Sequence, residues 1–357
     1  MLAAKAFSQF QGILFPSQYQ KMYMQKVKIL ITSACELRCL YCFNDTRVEY
    51  PQEINRDIYT FLDALPTSHK IPINFAFGEP LLALDKIREV VKDLNDSRYY
   101  VIFNTSGYGL KEEHIGILNE LPAMVSISCD GPASIMTRGF DFVKNGYHLV
   151  GQLKNFSGFV SVITPYSYNP YLLQEYFSNQ KFTLNRVKTR CKEAVAQSYN
   201  LVELREIYKH IVNVILMAEE PFKTREFTWI REYIDNYLFY LANPEYTRYP
   251  GIFLQSMSPV LDLAGTLYYS TYYQTKLGDI YDCPHKLNKK FLEMAASYWE
   301  CCNKNCLVKE FCMGGVGGEY RTYNMCSYMN TVCECLWPII NSGLLERYIA
   351  NNYIKDA

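Results

Sequence analysis

The fold is decided by one stretch, Thr32-Ser-Ala-Cys-Glu-Leu-Arg-Cys-Leu-Tyr-Cys-Phe43, in which Cys35, Cys39 and Cys42 follow a C-x3-C-x2-C spacing. This spacing lets one tight loop direct three thiolates at a single centre. Thiolates are soft ligands, which suit iron–sulfur clusters or zinc better than magnesium or calcium. A closed structural zinc site takes four ligands, whereas a 4Fe–4S cluster held by three thiolates leaves one iron open. The loop therefore predicts a metal centre with an open position, and a zinc knuckle is the alternative.

Length and composition limit the class of protein. The chain has 357 residues, of which 49% are apolar, so an α/β barrel with an appendage or two domains is expected. The 36 basic and 36 acidic residues balance, so bulk charge predicts neither a nucleic-acid nor a membrane partner. Neither a long apolar run nor a signal peptide is present in the sequence. The 13 cysteines are odd in number and clustered, which favours intracellular metal binding and a cytoplasmic protein over disulfides.

Strands and helices alternate along the first 200 residues. Lys26–Thr32 is β-branched and apolar, which predicts a buried strand that delivers the cysteine loop at its C-terminal end, where parallel α/β barrels place their sites. Further strands are predicted, separated by helical patterns, at 71–77, 100–104, 124–128, 158–164 and 184–189. Such alternation predicts a parallel sheet with right-handed crossovers. The fold class is therefore α/β, an open, partial (β/α)6 TIM barrel.

Four segments are predicted along the chain. An N-terminal segment covers residues 1–24, the barrel covers 25–200, and helices over 201–250, broken by Pro221 and Pro244, bridge to the rest. Residues 251–357 form a cysteine-rich α+β extension that ends in a helix. It opens with a predicted hairpin, Val260–Ser270, which turns at Ala264-Gly265.

The cysteine loop, with Tyr41 just before its third cysteine, resembles the signature of the radical S-adenosylmethionine (SAM) superfamily. In that superfamily the open iron binds the amino and carboxylate groups of SAM. An electron from the cluster then cleaves SAM to methionine and a 5′-deoxyadenosyl radical, which removes a hydrogen atom from the substrate. The resemblance implies a 4Fe–4S cluster on Cys35, Cys39 and Cys42, SAM as a cofactor, and a reductant such as flavodoxin or ferredoxin.

Two later elements resemble the cofactor-binding turns of the same superfamily. The usual Gly-Gly-Glu-Pro element, whose backbone contacts the amino group of SAM, has its counterpart in Gly78, Glu79 and Pro80, with Phe77 in place of the first glycine. The polar turn that begins at Asn104 resembles the turn that follows the third strand near the cofactor. The resemblance implies that these four residues bind SAM.

A third element, Ser128-Cys-Asp-Gly-Pro132, resembles the Ser-Leu-Asp-Gly-Pro sequence of peptide-modifying members. It implies that Ser128 reaches the ribose or carboxylate of SAM and that Asp130 also lies at the cofactor. Arg138 is a candidate partner for the carboxylate, since a guanidinium binds carboxylates through two nitrogens; a solvated loop arginine is the alternative. Cys129 replaces an aliphatic residue and is interpreted either as a small buried residue or as a hydrogen-atom donor that faces the substrate.

The C-terminal cysteines resemble the SPASM extension, or the shorter twitch extension, of radical SAM enzymes. A full SPASM module holds two auxiliary clusters, but Ser270 and Val316 stand where ligands of the first cluster are usual. One auxiliary 4Fe–4S cluster is therefore expected, and a zinc site is the alternative. The implied ligands are Cys302 (or Cys301), Cys306, Cys312 and Cys333 (or Cys326). The roles of Cys283, Cys326 and Cys335 stay open.

The resemblance covers most of the chain and implies a peptide maturase related to the anaerobic sulfatase maturases. The expected reaction removes a hydrogen atom from a residue of a ribosomally synthesised peptide and gives a crosslink, a thioether or an epimerised residue. One alternative is a formylglycine-generating, sulfatase-maturase-like enzyme, and another is a small-molecule enzyme with a twitch domain. A protein of a different class, a non-catalytic iron–sulfur or zinc protein that binds a peptide, is the remaining alternative.

Overall fold

The computed structural model describes residues 27–42, 50–64, 70–76, 78–186, 198–242, 260–268, 275–283, 286–287, 289–290, 293 and 323–353. The chain divides into two compact units. The barrel unit comprises Met22–Ala196 and Gln255–Met294, and the helical unit comprises Met1–Lys21, Gln197–Leu254 and Ala295–Ala357. The predicted segment 1–24 lies outside the described residues, and the predicted division into four segments stays a prediction.

Six parallel strands in sequence order form the core of the barrel unit. They are β1 (Val27–Leu30), β2 (Ile71–Ala76), β3 (Tyr99–Thr105), β4 (Ala123–Ser128), β5 (Phe156–Ile163) and β6 (Phe182–Arg186). Their β-branched and aromatic residues favour strands, and in β3 buried residues alternate with half-buried ones. The predicted parallel α/β partial barrel is thereby confirmed.

The helices that connect these strands cover the outer face of the sheet. They are α1 (Asp57–Ala64), α2 (Leu84–Lys92), α3 (Glu112–Glu120), α4 (Ser134–Arg138), α5 (Phe142–Gly146) and α6 (Pro170–Tyr176). Two contacts identify this face: the hydroxyl of Tyr99 in β3 donates to the carbonyl of Leu62 in α1, and the ring of Phe159 in β5 stacks on Phe177, just after α6, at 4.4 Å. Helix α5 continues directly into a 3-10 helix, Tyr147–Gln152.

The inner face of the sheet is polar. Lys28 in β1 pairs with Asn74 in β2, and Asn104 in β3 pairs with Ser126 in β4. Because successive side chains of a strand alternate between faces, these residues and Ser128 lie opposite the helix-covered side. The barrel thus presents amide, hydroxyl and ammonium groups to its interior.

A C-terminal hairpin extends the same sheet. Its two strands are β7 (Val260–Asp262) and β8 (Thr266–Tyr268), and a third strand, β9 (Lys276–Asp279), follows them. β7 runs parallel to β1 with Leu30 paired to Asp262, and β8 and β9 follow antiparallel. Leu30, Tyr50 and Val260 form a buried apolar cluster that fixes this junction. The predicted hairpin is confirmed, and its strands pair with the barrel sheet.

The helical unit contains four helices in its described residues: α7 (Leu201–Met217), α8 (Arg225–Ala242), α9 (Tyr323–Asn341) and α10 (Leu344–Tyr353). Asn200 caps α7 by accepting from the backbone N–H of Glu203. The buried hydroxyls of Tyr208 and Tyr328 lie 2.8 Å apart where α7 packs on α9. Among the residues that the structure describes, no helix combines the length and the apolar character that crossing a membrane requires.

Candidate functional site

The cysteine loop follows β1 and brings three half-buried thiols together. The backbone N–H of Cys42 donates to the carbonyl of Cys39 at 2.9 Å, which closes the loop. The thiols of Cys35, Cys39 and Cys42 interact electrostatically with one another. Burial raises the pKa of Cys39 to about 12 and also raises the pKa of Cys35. Thiols in such a place become thiolates when a metal binds them, so this donor set fits a cationic centre.

The spacing of the thiols also bears on the kind of centre. Within the described ranges, no three His, Cys, Asp or Glu side chains are grouped closely enough to hold one metal ion. In a 4Fe–4S cluster each thiolate binds a different iron, so the ligands stand farther apart than those of a single ion. The resemblance implies this arrangement for Cys35, Cys39 and Cys42, each of which would bind a different iron.

Gly78 packs directly against the backbone of the cysteine loop. Its φ is +73°, and a Cβ atom at this position would lie 2.5 Å from the carbonyl oxygen of Ala34 and 2.7 Å from that of Thr32. The backbone N–H of Glu79 donates to the same Ala34 carbonyl at 2.8 Å. Only glycine tolerates both the conformation and the close approach. The predicted Gly-Glu-Pro turn therefore holds one side of the cysteine loop; Phe77 lies outside the described residues.

The carboxylate of Glu79 is buried and accepts four hydrogen bonds. The donors are the backbone N–H of Leu81 (3.2 Å), the hydroxyl of Thr105 (2.6 Å), and the backbone N–H (2.9 Å) and hydroxyl (2.5 Å) of Ser106. The side chain thus ties the end of β2 to the end of β3. Because this carboxylate already accepts four hydrogen bonds within the protein, it agrees with the resemblance, which implies that the backbone of the turn contacts SAM.

Asp130 is fully buried and connects three parts of the barrel unit. Its carboxylate accepts from the hydroxyls of Tyr41 (2.5 Å) and Thr137 (2.6 Å) and from the backbone N–H of Val162 in β5 (2.9 Å). Nε and Nη2 of Arg138 donate to it at 3.0 and 3.2 Å. Burial raises the pKa of Tyr41 well above its ordinary value, so the phenol stays protonated and able to donate.

Arg138 is 7% exposed, so the alternative of a solvated loop arginine is wrong. Its carboxylate partner in the structure is Asp130, and its guanidinium lies 5.3 Å from the centre of the Tyr41 ring. The sequence did not indicate that Tyr41 belongs to this site through its hydroxyl. Its position between Cys39 and Cys42 in the sequence could have indicated this role.

Cys129 is fully buried just beyond the end of β4. Its sulfur lies 3.1 Å from the hydroxyl of Ser134, which also accepts from the backbone N–H of Asp130 at 2.8 Å. Burial raises the pKa of its thiol. This placement supports the interpretation as a small buried residue and is at odds with a hydrogen-atom donor that faces the substrate. Ser128, one residue earlier, lies half-buried on the inner face.

The inner face also carries Asn104, whose side-chain oxygen accepts from the hydroxyl of Ser126. Four predicted auxiliary ligands or substitutes, Cys301, Cys302, Cys306 and Cys312, lie outside the described residues, as do Ser270 and Val316. Within α9, Cys326 is exposed whereas Cys333 and Cys335 are buried, and Cys283 in the barrel unit is exposed. The auxiliary ligand set stays a prediction.

The comparisons with known proteins agree with this geometry. Residues 29–145 match the family model of the radical SAM superfamily. This match covers the cysteine loop and the turns after β2, β3 and β4, so this part of the chain is similar to radical SAM enzymes, and its three thiols fit the 4Fe–4S cluster of that superfamily.

Two solved structures share the fold over most of the chain. The chain is similar to anSMEcpe, an anaerobic sulfatase maturase, with bound AdoMet, at a TM-score of 0.59 and 19% identity, over 92% of this chain and 99% of that one. It is also similar to Streptococcus suis SuiB bound to its precursor peptide SuiA, at a TM-score of 0.57 and 16% identity, over 90% of this chain and 79% of that one. An uncharacterised protein of Methanocaldococcus jannaschii is 26% identical over 112 residues, which span 30% of this chain and 39% of that protein.

One buried polar atom shows that the barrel interior suits a bound molecule. Asn74 is 5% exposed, and its amide nitrogen has no hydrogen-bond partner. A buried donor without an acceptor costs about 1–3 kcal/mol, which an acceptor atom of a ligand would recover. Together with the three thiols and the close approach at Gly78, this donor fits an enzyme whose cofactor and substrate lie inside the barrel.

Asn74→Leu is expected to raise the stability of the ligand-free protein by about 1 kcal/mol, because it removes a buried donor without a partner. The same change is expected to slow SAM cleavage about tenfold, the effect of one hydrogen bond to a ligand. Urea unfolding followed by circular dichroism and the rate of 5′-deoxyadenosine release measure the two effects.

Asn119→Leu is the matched control. Both groups of the Asn119 amide are bonded, to the carbonyl of Gln152 and the backbone N–H of Lys154, both at 2.8 Å. This control is expected to lose stability and keep its activity. Equal destabilisation of the two variants would contradict the role given to Asn74.

Proposed function

We propose that this protein modifies a ribosomally synthesised peptide by removing a hydrogen atom from one of its residues, which gives a crosslink, a thioether or an epimerised residue. The observation that carries the proposal is the cysteine loop, held at the carboxyl end of a parallel partial barrel above a polar inner face. Two neighbours in fold are complexes with peptides: SuiB with its precursor peptide SuiA, and anSMEcpe with AdoMet and the Cp18Cys peptide.

The predicted cluster and cofactor residues each have a place in this proposal, whereas the buried Cys129 has none. Cys35, Cys39 and Cys42 hold the cluster, which together with SAM supplies one-electron cleavage of SAM and removal of a hydrogen atom from the substrate. The backbone of Gly78, Glu79 and Pro80 would hold the amino group of SAM. Ser128, on the inner face, would hold its ribose or carboxylate, and Asn104 would line the cofactor site. Asp130 and Arg138 hold the site together.

The remaining parts of the proposal concern the C-terminal cysteines and the partners. Cys302 or Cys301, Cys306, Cys312 and a residue of α9 would hold one auxiliary cluster, which would supply a substrate-binding position or an electron acceptor. Cys326 is exposed and Cys333 is buried, so Cys326 is the more accessible fourth ligand. The protein acts in the cytoplasm with flavodoxin or ferredoxin as its reductant.

Replacing Cys35, Cys39 and Cys42 together by alanine is expected to abolish release of 5′-deoxyadenosine from SAM under dithionite. The iron content should fall from about eight to about four atoms per chain, since each 4Fe–4S cluster holds four irons. Anaerobic iron and sulfide analysis, Mössbauer spectroscopy and chromatography of the nucleoside product provide the measurements.

A triple variant that still releases 5′-deoxyadenosine would refute the site. About four irons in the wild type, together with one zinc, would leave the radical chemistry intact and overturn the auxiliary cluster.

A sulfatase-maturase-like activity is the second candidate, favoured by a fold shared with anSMEcpe over nearly that whole chain. The two candidates differ in the product formed from a cysteine-containing peptide. A formylglycine product loses its sulfur and gains an aldehyde that reacts with hydrazides. A thioether or crosslink keeps the sulfur and loses two hydrogens. Mass spectrometry of the peptide after incubation with enzyme, SAM and dithionite separates them.

A further inference from the structure

The polar group around Asp130 connects the cysteine loop to helix α4. We propose that Tyr41, Asp130, Thr137 and Arg138 form a clamp that fixes the cysteine loop and holds the charge of Arg138 beside the cluster, where it raises the cluster's reduction potential. We call these four residues the Asp130 clamp. The inference rests on the cluster proposed for Cys35, Cys39 and Cys42 and is independent of the substrate.

The clamp holds the segment between the second and third cysteines. The hydroxyl of Tyr41 donates to Asp130 at 2.5 Å, and the backbone N–H of Leu40 donates to the carbonyl of Thr137 at 2.8 Å. At the other end of the loop, Ala34 accepts from the backbone of Glu79. The loop is therefore fastened on both sides of Cys39, to α4 and to the turn after β2. Movement of the thiols apart from the barrel would break buried hydrogen bonds.

The guanidinium of Arg138 lies beside the segment that joins the second and third cysteines. It is buried and lies 5.3 Å from the centre of the Tyr41 ring. The carbonyl of the preceding residue, Thr137, accepts from the backbone N–H of Leu40, which directly follows Cys39. The positive charge of Arg138 is therefore held next to the part of the loop that carries Cys39 and Cys42.

A positive charge beside a thiolate-bound cluster favours the reduced state, which carries one more negative charge. The orientation of this charge depends on Asp130, because the carboxylate holds Nε and Nη2 of the guanidinium at 3.0 and 3.2 Å. Arg138 is therefore a positioning residue that acts through the cluster. Its partner Asp130 holds the guanidinium beside the Tyr41 ring.

The test compares Arg138→Gln, which removes the charge, with Arg138→Lys, which keeps it. Arg138→Gln is expected to shift the midpoint potential of the cluster to more negative values, whereas Arg138→Lys stays close to the wild type. The potential is measured by titration followed by electron paramagnetic resonance, without substrate, on anaerobically reconstituted full-length protein. The signal of the Cys35, Cys39 and Cys42 triple alanine variant is subtracted as a blank.

Arg88→Gln is the matched control, because Arg88 is a half-exposed arginine of the same unit with ion pairs of 3.7 and 3.8 Å. It should leave the potential unchanged. An equal shift in Arg138→Gln and Arg138→Lys, or a shift in neither, would overturn the charge effect. If the wild-type protein gave no electron paramagnetic resonance signal beyond that of the triple alanine variant, the proposed cluster site would be overturned instead.

Tyr41→Phe tests whether the Asp130 clamp fixes the cysteine loop, because it removes the hydroxyl and keeps the ring. Without the hydroxyl, the loop loses its bond to Asp130, so iron loss to a chelator is expected to accelerate several-fold while the potential stays unchanged. Tyr108→Phe, an exposed tyrosine on the turn after β3, is the control. Iron loss at the wild-type rate in Tyr41→Phe would overturn the anchoring role, even where Arg138→Gln fails to fold.

Discussion

Gly78→Ala is expected to destroy cluster binding and to release no 5′-deoxyadenosine, although the substitution adds one methyl group. The new Cβ would lie 2.5 Å from the carbonyl oxygen of Ala34, an atom of the cysteine loop. Backbone cannot move aside as a flexible side chain can, so the loop must shift and the three thiols lose their arrangement. The positive φ of +73° adds a strain of about 1–2 kcal/mol. Iron content after anaerobic reconstitution measures the effect.

Gly139→Ala separates the strain from the clash. Gly139 has a φ of +76°, and a Cβ atom there meets nothing within 4 Å. Its alanine variant therefore carries the backbone strain alone, which should lower stability by about 1–2 kcal/mol and leave the iron content intact. If the two variants lost equal amounts of iron, the close packing of Gly78 on the loop would not be the cause.

Asp130→Ala is expected to destabilise the barrel unit by about 3–5 kcal/mol, because it leaves the buried guanidinium of Arg138 without its partner. Three further donors, the hydroxyls of Tyr41 and Thr137 and the backbone N–H of Val162, lose bonds to the same carboxylate. Hydrogen exchange followed by mass spectrometry measures the loss as faster exchange in peptides from β4 and β5.

A second measurement on the same variant, tryptophan fluorescence, provides an internal control. All three tryptophans of the chain, Trp229, Trp299 and Trp337, belong to segments of the helical unit. Tryptophan fluorescence therefore reports on that unit and should change little in Asp130→Ala. Asp85→Ala removes an exposed carboxylate of α2 and should leave both signals at their wild-type values. A loss of stability as small as that of Asp85→Ala would contradict the central role of Asp130.

Local patterns in the sequence predicted the strands well. Each predicted barrel strand overlaps an observed one, with ends that differ by a few residues, as for Lys26–Thr32 and the observed Val27–Leu30. The reason is that β-branched runs bounded by polar turns are determined by nearby residues. The Gly-Glu-Pro turn was found through its resemblance to the element of the superfamily, and the positive φ of Gly78 agrees with a turn at this position.

Local sequence patterns did not predict the long-range contacts. The sequence places Val260–Asp262 in a hairpin, but nothing in that hairpin names β1 as its parallel neighbour. In the same way, Arg138 looks like any loop arginine until the fold brings Asp130, eight residues earlier, and Tyr41 to its side. The choice between the two interpretations of Cys129 also needed the structure. The sequence does not show whether this thiol faces the barrel interior or the helices, and the fold buries it.

The pairing of β1 with β7 has a consequence for how the chain is made. In the described residues, β1 is the strand between β2 and β7 in the common sheet. The ribosome releases Val27–Leu30 more than 200 residues before Val260–Asp262, so one edge of β1 stays unpaired while the residues between them are synthesised. An open apolar edge invites pairing with other chains. The growing chain is therefore open to wrong strand pairing at this edge until β7 has been synthesised.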